Sequence, residues 1–343
     1  MTGYFIRRFL LIIPTFLGIS MVVFAIMHFV PGGPIERQIM RYQMGQAGEG
    51  GGGGGGGRGG VEIPAEALEE MKKFYGFDKP LHIRYATWLW NVLHLDLGRS
   101  YIYQDPVWDV IKQRFPVSIF IGLTSFVLGY LICVPLGVLK AVKHGSKFDF
   151  ASSFIVFLGY SIPGWALGTV LLVLLGGGSF WNVFPLGGFR PSDWEYLNFF
   201  EKISQQAYYM FLPVCCYMIG QFATLTILTK NSLMENLGQD YVRTAFAKGL
   251  GEKRVIFGHA LRNSLIPIAT GLGNVISLIL AGSFLIEKVF NIDGMGYLGY
   301  TSVLQRDYPV ALGILVVSSL LMLIGNILSD MIYVLVDPRI RFK

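Results

Sequence analysis

Charge is scarce in this chain. Asp, Glu, Lys and Arg make up 15% of its 343 residues, where soluble domains carry about 25%. Apolar residues reach 53% and mean hydropathy is +0.52. They are gathered into long runs, which excludes a pair of soluble domains in favour of one membrane bundle. Cysteine is nearly absent. Cys133, Cys215 and Cys216 all fall in apolar runs, and the adjacent Cys215 and Cys216 point to different faces of a helix. Neither a disulfide framework nor a zinc site is indicated, and the three read as small apolar packing residues. No G-x4-G-K-[ST] phosphate loop is present, so the chain is not expected to hydrolyse ATP itself. Neither H-E-x-x-H nor G-x-S-x-G occurs, which removes the basis for a membrane protease or esterase. The net charge of +6 fits the positive-inside bias of membrane proteins better than nucleic-acid binding.

What is present is a series of uncharged stretches. A helix needs about 20 apolar residues to cross the hydrocarbon. Windows free of Asp, Glu, Lys and Arg run 9–35, 115–139, 150–189, 203–229, 263–286 and 308–329, and each is long enough to cross once. The third is broken in its second half by Gly176-Gly-Gly178, Pro185 and Gly187-Gly188, so one span is placed near 150–175, followed by a re-entrant or surface segment. Six spans put both termini on one side. That side gathers Arg7, Arg8, Lys140, Lys143, Lys147, Lys230, Arg243, Lys248, Lys253, Arg254, Arg262, Arg339, Arg341 and Lys343, against Arg190, Lys202, Lys288 and Arg306 in the two short loops opposite. Both termini are therefore expected in the cytoplasm, because basic residues are retained there. The first run is too long for the apolar core of a signal peptide, and Val30-Pro-Gly-Gly-Pro34 follows it in place of a small-x-small cleavage site; it reads as a retained span.

Three segments result: 1–30 with the first span, an extracytoplasmic insert over 31–114, and a core over 115–343 that carries a cytoplasmic loop at 230–262. The insert contains an unbroken glycine run from Gly50 to Gly57, read as a flexible loop. A short helix is expected from Pro64, a second from Tyr85 to Leu95 near the membrane surface, and a turn at Asp96-Leu-Gly-Arg-Ser100. Such an insert caps a pathway, meets a soluble partner, or only stabilises the bundle.

The 230–262 loop is the most informative part. Tyr241 to Lys248 has helix-forming composition, Gly249-Leu250-Gly251 bends the chain, and Glu252 to Leu261 reads as a second short helix with Val255, Ile256 and Leu261 as its apolar stripe. Small residues, Ala245 and Gly249, would let a partner approach closely, and Lys248, Arg254 and Arg262 would pair with its acids. On the residues alone, this docking reading and a basic amphipathic turn resting on anionic lipid stand level. Within the spans, His28, Glu287 and Asp330 lie near span ends, where they snorkel, cap or face protein and water. Asn274 and Asn326 lie deeper, to bridge helices or line a wet path. Ser161-Ile-Pro-Gly-Trp165 breaks the third span; Pro163 and Gly164 mark either a pathway gate or a structural kink.

The loop resembles the coupling region of permease subunits of ATP-binding-cassette importers, in its peptide-transporter branch. The residues that carry the resemblance are Arg243-Thr-Ala-Phe-Ala-Lys-Gly-Leu250 and His259-Ala-Leu-Arg-Asn-Ser-Leu-Ile-Pro267. Arg243 stands where the general importer pattern has Glu, and Leu261-Arg262 where it has Leu-Pro, departures the peptide branch shares. The likeness extends through Tyr4-Phe-Ile-Arg-Arg-Phe-Leu-Leu-Ile-Ile-Pro14, Tyr75-Gly-Phe-Asp-Lys-Pro80, Asp96-Leu-Gly-Arg-Ser100, Arg306-Asp-Tyr-Pro309 and Val336-Asp-Pro-Arg-Ile340. Pro31-Gly-Gly-Pro34, the Gly-rich insert, Leu228-Thr-Lys-Asn-Ser232 and Leu285-Ile-Glu287 are similar to the Yej subgroup, implicated in uptake of peptides and the peptide-nucleotide microcin C.

The resemblance implies an all-α membrane protein with the six-helix type I importer permease fold. It implies a coupling surface of Arg243, Thr244, Ala245, Ala247, Lys248, Gly249, Arg254, His259 and Arg262, and no cofactor on this chain. ATP and Mg belong to two ATPase subunits or one fused ATPase. A homologous second permease and an extracytoplasmic peptide-binding protein complete the set, with membrane lipid around it and no nucleic acid. ATP-driven closure of the ATPases would pull on Ala245 to Gly249 and rock the spans between inward- and outward-open states. A self-sufficient secondary transporter would need paired charges at the bilayer centre and often an internal repeat; the sequence shows neither. A membrane-embedded scaffold or enzyme lacks any catalytic constellation.

Overall fold

A computed structural model describes residues 2–29, 69–70, 78–177, 180–271 and 283–336. The chain divides into two compact units: Met1–Leu11, Arg114–Leu298 and Ser318–Lys343 form one, and Ile12–Gln113 with Gly299–Val317 the other. The described residues are mostly helical, with two isolated β-bridges in the connections. We label the helices α1 (Thr2–Phe29), α2 (Leu81–Leu93), α3 (Val107–Val142), α4 (Lys147–Ser161), α5 (Gly164–Leu175), α6 (Phe199–Leu237), α7 (Asp240–Ala247), α8 (Phe284–Val289), α9 (Met295–Leu304) and α10 (Tyr308–Val336).

Among the described residues, α1, α3, α6 and α10 are each long and apolar enough to cross a membrane, and α4 with α5 makes a fifth candidate, bent by 96°. These match five of the six expected windows. The remaining window, 263–286, has its middle, residues 272–282, outside the described residues. The bend follows from the sequence. Pro163 has no N–H to give to a helix and disfavours helical geometry at Ile162, which is extended at φ −102° and ψ 120°. At about 1.5 Å per residue neither α4 nor α5 alone reaches across the roughly 30 Å hydrocarbon. Among the described residues of 176–198, one 3₁₀ turn at Trp194–Tyr196 is the helical part, and a capping box between Asn198 and Glu201 then starts α6.

In the first unit, α4 and α5 pack along α6. Gly137 of α3 lies so close to α6 that an added Cβ would stand 2.6 Å from the Thr229 Cβ. Small residues permit such approach where lipid offers no hydrophobic drive between helices. Near the N-terminus, Arg8 pairs with the buried Asp330 carboxylate, and Tyr4 donates its hydroxyl to the same group at 3.0 Å. Asp330 is therefore paired within protein.

In the second unit, Phe24, Met27, Tyr308, Ala311 and Leu312 form a core against Leu81, Tyr85 and Trp88. The expected second outer helix is present as α2, beginning four residues earlier than Tyr85, directly after Pro80. The expected first outer helix and the glycine run lie outside the described residues, except for Glu69 and Glu70. The Asp96–Ser100 turn forms as predicted. Gly98 adopts φ +80° and donates its N–H to the Asp96 carboxylate at 2.9 Å. A fully buried Asp307 then receives the Ser100 hydroxyl and the Tyr101 N–H. Replacing Asp307 by Ala strands both donors, and hydrogen bonds to a charged acceptor are worth about 1.5–3 kcal/mol. Asp307→Ala is expected to open the 96–106 turn to protease in membrane vesicles while the wild type resists; equal resistance would show that the anchor carries no stability.

Candidate functional site

The 240–264 region folds as a helical knob braced from within. Asp240 lies in the first turn of α7, favourable against the helix dipole. Val242 and Ala245, three residues apart on one face, are buried with Val255, Ala260 and Leu233 and with Val138 and Ala141 of α3. Lys248 caps α7, and Gly249 takes φ +77°, where an L side chain is strained. Leu250 N–H reaches the Ala245 carbonyl at 3.3 Å and Gly249 N–H the Phe246 carbonyl at 2.9 Å, a Schellman closure with Leu250 packed back on the same core.

After Gly251 the chain re-enters a helix at Glu252–Arg254, widens into a π turn at Val255–Ala260 and continues as Leu261–Ser264. The π turn accommodates burial of Val255, Ile256 and Ala260 while Phe257, Gly258 and His259 remain exposed. Such single-turn bulges recur at functional sites. Ser232 of α6 donates to the Ser264 carbonyl at 2.9 Å and ties this helix to the bundle.

Of the nine coupling residues expected from sequence, Arg243, Thr244, Ala247, Lys248, Gly249, Arg254, His259 and Arg262 are exposed. Ala245 is not: it is 7% exposed and turns into the chain's own core. The reading of Ala245 as open space for a partner is corrected. Its smallness serves packing beneath α7, because it falls three residues from Val242 on the inner face. Two exposed aromatics were missed. Phe246 is 46% and Phe257 56% exposed, and each stands beside the basic residues. Their position in a helix otherwise amphipathic about Val242 and Ala245 was the available signal. Asp240 lies 3.7 Å from Arg243, with both side chains largely in solvent, so this pair contributes little and leaves the face net basic.

The second set of expected residues is partly assembled. Gly164 opens α5 against α6, where an added Cβ would run into the Cys216 carbonyl oxygen, and a Cβ added to Gly168 would stand 2.9 Å from the Phe290 ring. Glu287 of α8 is fully buried. Tyr217 of α6 donates to its Oε1 at 3.2 Å and the Tyr297 N–H to its Oε2 at 2.6 Å, while Gly294 and Gly296 leave room for the carboxylate. A negative group is thus set against the first turn of α9, where unpaired N–H groups favour it. Glu287 does not face open water here; of the readings open to a charge near a span end, contact with protein is the one it adopts. Pro163 is exposed at the bend. Asn326 is half-buried on α10, one turn before Asp330. Asn274 lies outside the described residues.

A third cluster was not anticipated. Lys140 and Lys230, read from sequence as loop cations, turn inward onto Asp149. Nothing local to either lysine distinguishes it from its exposed neighbours.

Comparison with known proteins accords with this architecture. The family described as "Binding-protein-dependent transport system inner membrane component" matches residues 133–342. The peptidoglycan transport system permease protein YejB of Agrobacterium fabrum is 39% identical over 360 residues, covering 100% of this chain and 99% of the relative. The oligopeptide transport system permease protein AppB of Bacillus subtilis is 35% identical over 343 residues, covering 100% of both. Among solved structures, the inward-facing MetNI methionine ABC transporter aligns with a TM-score of 0.51 at 18% identity, over 66% of this chain and 96% of that one, a likeness of fold alone. ATP hydrolysis in such systems belongs to separate ATPase subunits, and the permease is not an enzyme. With its bundle of long apolar helices and its braced basic knob, the chain belongs to the inner-membrane permeases of binding-protein-dependent ABC transport systems.

Proposed function

We propose that this chain moves peptides into the cytoplasm as one of two permease subunits of an ATP-driven importer. Alternating access opens the pathway to each side in turn. An extracytoplasmic binding protein delivers the cargo. The knob docks an ATPase subunit on the cytoplasmic side, where both termini lie. The observation that carries this reading is the division of labour within the knob. Its apolar face is consumed by α3 and α6, while Arg243, Lys248, Arg254, Phe246 and Phe257 point outward. A basic turn lying on lipid needs a continuous apolar face left for the bilayer, and here the aliphatic face of Val242, Ala245, Val255 and Ala260 is turned inward. Aromatic and Arg side chains together are the composition of interface hot spots.

Support for peptide cargo comes from relatives named for oligopeptide and peptidoglycan transport. Peptide-nucleotides of the microcin C kind are a further cargo within this reading, and a proteoliposome uptake assay with such a compound tests it directly. The scarcity of ionisable groups within the spans accords with a pathway that tolerates varied side chains, selection being left to the binding protein.

Purification from native membranes in mild detergent, with mass spectrometry of co-eluting chains, tests the docking. A second permease and ATPase subunits are expected. Arg243→Glu with Lys248→Glu reverses two exposed charges and should weaken ATPase retention tenfold or more, as like charges across an interface cost about several kcal/mol. Phe246→Ala should do the same through lost burial. A chain that elutes alone, or variants that keep their ATPase, would sink the reading.

A further inference from the structure

Two lysines and one aspartate meet where three helices converge. Lys140, near the C-terminus of α3, is 1% exposed. Its Nζ donates to the Asp149 carbonyl at 3.0 Å, Ser152 Oγ at 2.9 Å and Ser153 Oγ at 2.7 Å, and stands 3.2 Å from Asp149 Oδ1. All of these acceptors belong to the first turns of α4, so the three ammonium hydrogens are spent on one helix. Lys230 of α6 straddles the same carboxylate, at 2.8 Å from Oδ1 and 2.7 Å from Oδ2. The Gly145 N–H and His144 Nδ1 each lie 3.2 Å from Oδ2.

Stability is a poor explanation for such a cluster. Desolvating three charges is costly, and buried ion pairs can often be replaced by apolar residues without loss. What the cluster does offer is register. Apolar helix faces in a membrane hold one another without direction, whereas a carboxylate gripped through both oxygens fixes where one helix sits along another.

The location then matters. Val138 and Ala141 bracket Lys140 on α3 and pack against Val242, Ala245 and Val255 of the knob, and Leu233, one turn beyond Lys230, belongs to the same core. Asp149 opens α4, which ends in the 96° bend to α5. The cluster therefore joins the frame that holds the knob to the bent helix pair.

We infer that the Lys140–Asp149–Lys230 cluster is the strut that carries displacement of the docking knob into the bent pair α4 and α5, with Lys230 and Asp149 as positioning residues for transport. This inference rests on the docking reading above. Without the Lys230 link, α4 stays tied to α3 through Lys140 but loses its fixed register along α6, so only part of the knob's displacement reaches α4 and α5.

The test uses the assembled complex, with both permeases, ATPase subunits and binding protein, reconstituted in proteoliposomes with a short peptide inside-uptake assay. Lys230→Met keeps the aliphatic length and leaves Asp149 paired with Lys140, so no carboxylate is buried alone. The expected result is unchanged assembly and ATP hydrolysis with peptide taken up per ATP reduced about tenfold, the scale of a typical coupling between sites. Lys230→Arg should restore it. Three results would each overturn the strut: unchanged uptake per ATP; equal losses of hydrolysis, uptake and assembly, as a purely structural residue would give; or failure of Lys230→Arg to rescue. The docking reading is judged separately, on whether the Arg243→Glu and Lys248→Glu chain keeps its ATPase, so the two can fail independently.

Discussion

Gly164→Val is expected to remove most of the folded permease from detergent extracts. The α5 backbone at Gly164 lies against α6 so closely that any Cβ would overlap the Cys216 carbonyl oxygen, and Ile219 Cγ2 closes the side at 3.5 Å. One turn on, a Cβ added to Gly168 would stand 3.3 Å from Cys216 Sγ and 2.9 Å from the Phe290 ring. Gly164 and Gly168 make a G-x-x-x-G pair, the spacing that lets two membrane helices touch backbones. The obstructing atom belongs to the main chain of a 39-residue helix, so it cannot swing aside as a side chain would. Forced overpacking costs about 1–3 kcal/mol, occasionally more. At the upper end this lowers Tm by roughly 6–12 °C. Heating detergent-solubilised protein and counting what remains monodisperse measures it. Gly164→Ala should show a smaller loss of the same sign. Gly18→Val, at a position with nothing within 4 Å, should melt as the wild type does. A Gly164→Val protein that also melts as the wild type would mean that α5 does not lie on α6 in this way.

The second large effect concerns Glu287. Its carboxylate is enclosed by Tyr217, the Tyr297 N–H and the two glycines Gly294 and Gly296. Glu287→Leu fills similar space but leaves the Tyr297 N–H and the Tyr217 hydroxyl without this acceptor. Each buried group left unsatisfied costs about 1–3 kcal/mol, so a loss of about 3 kcal/mol in stability is expected. Glu287→Gln keeps an acceptor oxygen and should lose less. The pair of variants separates two roles. A structural anchor predicts that folded Glu287→Gln protein transports within about twofold of wild type, the range of an ordinary tolerated substitution. A variant that is as stable as wild type yet inactive in uptake would assign Glu287 to the pathway.

The bent pair and the anchor are parts of one arrangement. Cys216 and Tyr217 are neighbours on α6; Cys216 faces the glycines of α5, and the Tyr217 hydroxyl meets both the Ser283 N–H at 2.7 Å and Glu287. Phe290, just past the end of α8, packs on Gly168 and accepts the Gly188 N–H through its carbonyl at 2.7 Å. Disturbing the kink is therefore expected to disturb the Glu287 region, and the Gly164 and Glu287 effects should not add as distant substitutions do.

The sequence by itself determined the long apolar helices, the break at Ile162-Pro163, the turn at Asp96–Ser100 and the helix–glycine–helix form of the knob. All of these rest on local physics: the length of an apolar run against bilayer thickness, the missing N–H of proline, the left-handed freedom of Gly98 and Gly249. The family likeness was legible in the same way, since Arg243 to Leu250 and His259 to Pro267 are contiguous strings. Only the tertiary structure decided which way side chains within those strings point. Ala245 turns inward because α3 and α6 stand beneath it. Lys140 and Lys230 look like any loop cations until Asp149, 81 residues before Lys230, is brought between them. Glu287 reads as a costly charge at a span end until the start of α9 supplies its N–H partner. Periodicity and hydropathy record what a residue does to its own helix. Pairing of buried charge depends on how separate helices come together, and no pattern within one helix carries that information.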